Sequence, residues 1–170
     1  METKNLPYRS ILFVCDANTF RSPMAELMLK WMLMSLGADN QIQVRSGGIS
    51  GHARDGAMIS LDARLILKAD GISCHEDFRS QDISRHRELV TEADLILTMT
   101  AKQKDRILGL KEAEGKEVYI LKEFVGEQGD IADPEGYSDV HYMKCKVQIE
   151  DCLKRAIVKI LPGRVTGQTT

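Results

Sequence analysis

Cys15, Arg21 and Asp133 are the residues of this chain best suited to chemistry on an anion. Five residues separate the thiol from the guanidinium in the segment VCDANTFRSP. A thiolate is a strong nucleophile, and a planar guanidinium binds two phosphate oxygens at once. Asp133 precedes a proline in the loop GDIADPEGY and can supply a proton to a leaving group, with Asp130 as the alternative donor. These residue types predict attack of a thiolate on a phosphoryl group.

The segment that contains the cysteine lies between an apolar run at 10–15 and a run of helix formers. Cys15 therefore ends a predicted strand, and Ser22 is predicted as the N-cap of a helix with Pro23 at its first position. A tight loop over 16–21 would turn backbone N–H groups towards an anion, and the helix dipole would add positive charge. Both effects favour the thiolate, and the Ser22 hydroxyl is placed to hydrogen-bond the sulfur. The alternative is a buried cysteine beside a surface arginine, because the spacing alone is weak.

Strands alternate with helices along the chain. Predicted strands cover 10–15, 41–46, 93–99 and 117–121, and predicted helices cover 22–36, 55–69, 101–108 and 139–161. Apolar strands separated by helices indicate a parallel sheet that is covered on both faces. We therefore expect an α/β fold: a single-domain, three-layer sandwich with a four-stranded parallel sheet flanked by helices and a phosphate-binding loop after the first strand. Residues 1–163 would form the domain and 164–170 a polar tail.

Composition argues against several classes of function. A net charge of -2 does not suit a protein that binds nucleic acid through a basic surface. The apolar runs are too short to span a bilayer, and the N-terminus lacks a signal-peptide stretch. The four cysteines show no zinc-ligand spacing. We expect a cytoplasmic protein without a metal, a cofactor, a nucleic-acid partner or a membrane partner.

The segment VCDANTFRSPMAE resembles the phosphate loop of the low molecular weight protein tyrosine phosphatases, V-C-x-G-N-x-C-R-S-P-M-A-E. The SGG at 46–48, the strand at 92–100 and the Asp-Pro at 133–134 resemble other segments of that family. The resemblance thus covers nearly the whole chain. It implies a metal-free phosphatase that acts on phosphorylated proteins, with inorganic phosphate or another oxyanion as product or inhibitor.

The resemblance also implies a role for each residue of the site. Cys15 would form a phosphocysteine intermediate, Arg21 would bind phosphate and stabilise the transition state, and Asp133 would protonate the leaving group and then activate water. Asn18 would hold the loop in a left-handed backbone conformation, and Ser22 would favour the thiolate. The implied phosphate-binding loop consists of Asp16, Ala17, Asn18, Thr19, Phe20, Arg21 and Ser22.

Three positions depart from the family pattern. Ala17 replaces a loop glycine, which would cost about 1–2 kcal/mol if that position requires a positive φ. Phe20 replaces the second loop cysteine and so removes the usual partner for a protective disulfide with Cys15. Glu135 replaces an aromatic residue that, in tyrosine-specific members of the family, flanks the phenyl ring of the substrate. Tyr137, two residues later, would substitute for that aromatic residue.

Thr19 bears on the substrate. In the family that this chain resembles, threonine at this position is typical of the bacterial protein-arginine phosphatases, whereas tyrosine-specific members usually carry Ile or Val. A small hydroxyl can help to place the water that attacks in the second step. Glu135 could pair with a guanidinium. These features favour phosphoarginine as the substrate, with phosphotyrosine as the alternative.

Two further functions share parts of this pattern. An arsenate reductase needs two further cysteines, one near the end of the third strand, but that strand ends in LTMT without a cysteine, and Cys74 lies well before it. A non-catalytic phosphate-binding module fits the altered loop positions Asp16, Ala17 and Phe20. The retained thiol and acid argue against it, because binding alone requires neither.

Overall fold

One parallel sheet organises the computed structural model, which describes residues 5–164. Its strands are β1 (Ser10–Cys15), β2 (Gln43–Gly48), β3 (Leu95–Thr98) and β4 (Glu117–Ile120), in the order β2-β1-β3-β4. The helices are α1 (Arg21–Ser35), α2 (Leu61–Ala69), α3 (Glu88–Glu92), α4 (Ala101–Leu108), α5 (Leu121–Phe124) and α6 (Asp139–Ile160). The predicted α/β fold with a four-stranded parallel sheet is confirmed.

The sheet order places the end of β1 at a crevice. The chain leaves β1 for β2 on one side and returns later to β3 on the other side of β1. Helices on the two connections diverge at such a point, and ligands of open parallel sheets bind there, beyond the carboxyl ends of the strands. Cys15 is the last residue of β1.

Alternation along β1 decides which way Cys15 faces. Ile11, Phe13 and Cys15 belong to the larger core, together with apolar residues of α1 and α6. Leu12 and Val14 point to the other face of the sheet and pack in the smaller core, beside residues of α3 and α4. Because side chains alternate along a strand, the cysteine faces the α1 and α6 layer.

Two predicted helix starts are wrong. Helix α1 begins at Arg21, and its cap residue Phe20 makes no side-chain capping bond. Ser22 is not the N-cap, because its hydroxyl is engaged with Cys15. Helix α2 begins six residues later than the predicted start at 55, because Ser60 is its cap and accepts a hydrogen bond from the Ala63 N–H at 3.2 Å.

Other bounds shift by smaller amounts. Strand β2 extends to Gly48 because it pairs with β1 to the last residue, Cys15 opposite Gly48. Leu121 begins α5 instead of ending β4, and the short α3 was not predicted. All but the first residue of the predicted tail lies outside the described residues. Within residues 5–164, no helix combines the length and the hydropathy needed to cross a bilayer.

Candidate active site

The sulfur of Cys15 receives hydrogen bonds from the loop that follows it. The backbone N–H of Asn18 donates to Sγ at 3.2 Å, and the Ser22 hydroxyl lies 2.9 Å from the same sulfur. The side-chain Nδ2 of Asn18 donates to Ser22 Oγ at 2.8 Å. Since Ser22 Oγ accepts from Asn18, its own hydrogen is free to point at the sulfur. Two donors that converge on a sulfur stabilise its negative charge, so this arrangement suits a thiolate.

Asn18 fastens the loop to the rest of the molecule. Its φ is 59°, and among the described residues it is the only one other than glycine with a positive φ. Its Nδ2 donates to Ser46 Oγ at 2.9 Å, and its Oδ1 accepts from the Gln81 N–H at 2.9 Å. The Ser80 hydroxyl donates to the Asn18 carbonyl at 2.6 Å. These long-range bonds compensate for the left-handed backbone of Asn18.

The expected backbone cost at Ala17 does not arise. The positive φ falls on Asn18, one residue later, so alanine is unstrained at position 17. The glycine that the loop does require is Gly48 on β2. A Cβ there would lie 2.7 Å from the Asp16 carbonyl oxygen and 3.0 Å from the Ala17 carbonyl carbon. Gly48 therefore lets the loop lie directly against β2.

The buried carboxylate of Glu26 is connected to the hydrogen bonds around Asn18. Glu26 on α1 is buried, and the Lys30 Nζ lies 2.9 Å from its Oε2. Burial raises the pKa of Glu26, while Lys30 and hydrogen bonds from Ser46 act to lower it. Ser46 thus links Glu26 to the Asn18 amide. Neither Glu26 nor Ser46 is predicted as a site residue from the sequence, although the segments MAE and SGG contain them.

Arg21 is held by three oxygens. Its Nη1 donates to the Ile131 carbonyl at 2.9 Å, and its Nη2 lies 3.3 Å from Asp16 Oδ2 and 3.6 Å from Asp133 Oδ2. The side chain is only 3% exposed. Asp16 therefore helps to orient the guanidinium. A buried, oriented fork of this kind matches the geometry of a phosphate.

The loop before α6 separates the two candidate proton donors. Asp133 is partly exposed beside Arg21, and its Oδ1 accepts from the Glu135 N–H at 3.0 Å. Asp130 instead accepts from the Ala101 N–H at 2.9 Å, at the start of α4. Asp130 therefore anchors the loop, and of the two candidate donors only Asp133 lies beside Arg21.

Aromatic residues line the α6 side of the loop. The rings of Phe20 and Tyr142 meet edge to face with centroids 5.0 Å apart. Tyr137 is 64% exposed and stacks on His141 at 4.8 Å. Tyr142 was not anticipated from the sequence, because a tyrosine within a helix pattern reads as core. Partial burial raises its pKa, and so do the charges of Asp62, Glu135, Asp133 and Asp139. Carboxylates therefore give that side of the site an electronegative, that is negatively charged, environment.

Thr19 connects the loop after Cys15 to the start of α2. Its carbonyl accepts from the Ser60 N–H at 2.9 Å, which ties the loop to the start of that helix. The residue as a whole is partly exposed. Over residues 5–164, no three His, Cys, Asp or Glu side chains converge as metal ligands.

Comparison with known proteins gives consistent matches. A family model described as low molecular weight phosphotyrosine protein phosphatase matches residues 10–162. A protein-arginine-phosphatase of Geobacillus stearothermophilus is 36% identical over 157 residues, which cover 91% of this chain and 97% of that protein. The protein-tyrosine-phosphatase PtpB of Staphylococcus haemolyticus is 35% identical over 131 residues, 75% of this chain and 83% of that protein. A solved YwlE arginine phosphatase mutant with a phosphorylated active site serine matches with a TM-score of 0.80 and 31% identity, covering 91% of this chain and 97% of that one.

Proposed function

We propose that this protein, which belongs to the low molecular weight phosphotyrosine protein phosphatase family, hydrolyses phosphoarginine in proteins in preference to phosphotyrosine. Its relatives are protein phosphatases, and it is an enzyme of that kind. The observation that carries the proposed mechanism is the Cys15 sulfur, which lies within hydrogen-bond distance of two donors in the loop that also supplies Arg21. We place the activity in the cytoplasm because the proposed mechanism requires a reduced thiol at Cys15, and thiols stay reduced there.

In the first step the Cys15 thiolate attacks phosphorus opposite the leaving group. The S–P bond forms as the P–N bond of phosphoarginine breaks, and the Asp133 carboxyl gives its proton to the departing nitrogen. Arg21 and the backbone N–H groups of the loop stabilise the charge on the phosphoryl oxygens. Since Asp133 lies 3.6 Å from Arg21, the proton donor stands beside the group that binds the anion.

In the second step water releases the phosphate. The Asp133 carboxylate takes a proton from a water molecule, whose oxygen attacks phosphorus as the S–P bond breaks. The Cys15 thiolate is restored, and the Ser22 and Asn18 donors stabilise it as a leaving group. Inorganic phosphate then occupies the loop as product, and other oxyanions would inhibit there.

Replacing Asp133 by asparagine is expected to slow hydrolysis by an amount that depends on the leaving group of the substrate. We expect kcat/KM to fall by about 10²–10³-fold for phosphoarginine peptides, and much less for p-nitrophenyl phosphate, whose leaving group needs no proton. Steady-state kinetics on both substrates measures the difference. Asp130→Asn is the matched control, since an amide oxygen can still accept from Ala101. Equal losses of kcat/KM on both substrates would show that Asp133 is not the proton donor.

Two features support phosphoarginine. Thr19 contributes a small hydroxyl to the loop four residues after Cys15, and this hydroxyl would help to place the attacking water. Glu135 adds a carboxylate to the electronegative side of the site, which suits a guanidinium. Relatives named as protein-arginine phosphatases match over most of this chain.

Substitutions at Thr19 test the preference directly. Thr19→Val removes the hydroxyl at nearly constant volume and is expected to lower the phosphoarginine to phosphotyrosine ratio of kcat/KM by about 10–100-fold. Thr19→Ile should act in the same direction, and Thr19→Ser should retain the ratio. Slower release of phosphate from Cys15 would appear as a pre-steady-state burst. If the Val and Ser variants behave alike, the hydroxyl does not determine the substrate.

Phosphotyrosine is the second candidate, because Tyr137 offers an exposed aromatic surface near the site. Matched phosphoarginine and phosphotyrosine peptides decide between the two, with phosphate release as the readout and Cys15→Ser as control. Faster release from phosphotyrosine would overturn the substrate proposal and keep the mechanism. Phosphate binding without turnover of either peptide would indicate a binding module.

A further inference from the structure

A second cysteine lies in the core that Cys15 shares with α6. Cys145 is the first buried residue along α6 and is 4% exposed. It belongs to the same core cluster as Cys15 and Phe20. One helical turn earlier, the Tyr142 ring contacts Phe20, which holds this part of α6 against the loop.

The charges around Cys145 are those of the site. Burial raises the pKa of the Cys145 thiol to about 12, and the charges that act on it belong to Arg21, Asp133 and Cys15. Cys152, two turns further along α6, is equally buried, but the charges around it come from Glu127, Lys122, Arg155 and Asp151. The helix therefore carries one cysteine whose charged neighbours belong to the site and one whose charged neighbours lie outside it.

We propose that Cys145 is the resolving cysteine for Cys15, forming a disulfide with it after a hydroperoxide has oxidised the nucleophile. This rests on the proposed function in one respect, namely that Cys15 is a reactive thiolate. The disulfide protects Cys15 from irreversible oxidation until a cellular dithiol reduces it. Because position 20 is Phe, the loop lacks a second cysteine, and Cys145 supplies the sulfur that pairs with Cys15.

The chemistry balances in two steps. The Cys15 thiolate attacks the outer oxygen of the hydroperoxide, an S–O bond forms, the O–O bond breaks and the alkoxide leaves as an alcohol. Sulfur is oxidised by two electrons to a sulfenic acid and the peroxide is reduced. The Cys145 sulfur then attacks Cys15, the S–S bond forms, the S–O bond breaks, and the hydroxide leaves as water with the proton of the Cys145 thiol.

The electrostatics order these steps. With a raised pKa, Cys145 is a neutral thiol at rest, so peroxide reacts with Cys15 first. A sulfenic acid at Cys15 is uncharged, so the charge that helps to keep Cys145 protonated disappears. The Arg21 charge, which lowers the pKa of Cys145, stays in place. Oxidation of Cys15 therefore removes one of the causes that raise the pKa of Cys145, while burial, the largest of them, remains.

The test is inactivation of the full chain by hydrogen peroxide, followed by dithiothreitol, with p-nitrophenyl phosphate as substrate. Wild type and Cys152→Ala should recover their activity, and recovery should fall by about tenfold or more in Cys145→Ala, whose Cys15 proceeds to sulfinic acid. Before oxidation the three proteins should turn over p-nitrophenyl phosphate at similar rates. Equal recovery of both variants would overturn the proposal.

Peptide mapping of oxidised wild type without reductant gives a readout independent of the variants. A Cys15–Cys145 linked peptide is expected. Since a disulfide requires Cα atoms within about 7 Å, such a peptide would also show that the two residues come that close. A bond to Cys74 or Cys152, or none, would overturn the assignment. If the untreated protein shows no turnover, the proposed function fails, and the mapped disulfide still decides on Cys145.

Discussion

Cys15→Ser is expected to lower kcat by about 10⁴-fold or more on every phosphorylated substrate, since removing the nucleophile of a covalent enzyme has effects of this size. A serine hydroxyl carries no negative charge, and its proton has no base in hydrogen-bond reach comparable to those in serine hydrolases. Phosphate binding should be retained or become tighter, because the repulsion between thiolate and phosphate is removed while the N–H groups of the loop remain. Initial rates and calorimetric titration with phosphate measure the two effects separately.

Cys152→Ser is the matched control for this substitution. Cys152 is as buried as Cys15 but lies on α6, among charges outside the site. It should affect stability without a comparable loss of kcat. If Cys15→Ser kept activity within tenfold of wild type, a phosphocysteine intermediate could not carry the reaction, and the role proposed for Cys15 would be withdrawn.

Arg21→Lys is expected to lower kcat/KM by about 10³-fold, the scale at which an arginine stabilises phosphoryl transfer. Lysine keeps the charge but provides a single ammonium in place of a planar fork. The guanidinium holds the Ile131 carbonyl with Nη1 and faces Asp16 and Asp133 with Nη2. An ammonium cannot keep these contacts and also bind two phosphate oxygens. The loss should appear in kcat as well as in KM.

Arg45→Lys tests whether the effect is specific to the site. Arg45 pairs with Glu92 at 2.8 Å, and both side chains are substantially exposed. Its replacement should change kcat/KM by less than tenfold, because exposed ion pairs contribute only about 0–1 kcal/mol. An Arg21→Lys enzyme with normal kcat and raised KM would show that Arg21 binds ground state and transition state equally. Thermal melting of each variant separates catalytic loss from unfolding.

The fold was predictable because its signals are local. The apolar strands at 10–15 and 93–99, separated by helical segments, predicted the parallel sheet that the structure contains. The end of β1 at Cys15 was predicted to the residue, since the apolar run stops there. Alternation of this kind depends on neighbours a few residues apart, and that is the range over which a sequence pattern is informative.

Helix starts were less predictable because tertiary contacts compete for the same side chains. Ser22 has the residue type of an N-cap, but in the folded chain its hydroxyl is hydrogen-bonded to the Cys15 sulfur and accepts a hydrogen bond from the Asn18 side chain. Met58 has helical spacing with Leu61, yet its backbone forms an isolated β-bridge with Arg79. The helix therefore begins only after its N-cap, Ser60. Local propensity therefore gave way to longer-range contacts.

The sequence by itself determined which residues offer chemistry: Cys15, Arg21 and Asp133, whose types and immediate neighbours indicate a nucleophile, an anion binder and an acid. Only the tertiary structure decided what holds them. The bond from Asn18 to Ser46 spans 28 residues, that from Gln81 to Asn18 spans 63, and that from Arg21 to Ile131 spans 110. Contacts of this length depend on the order of strands in the sheet and on the packing of α6, which no local pattern encodes.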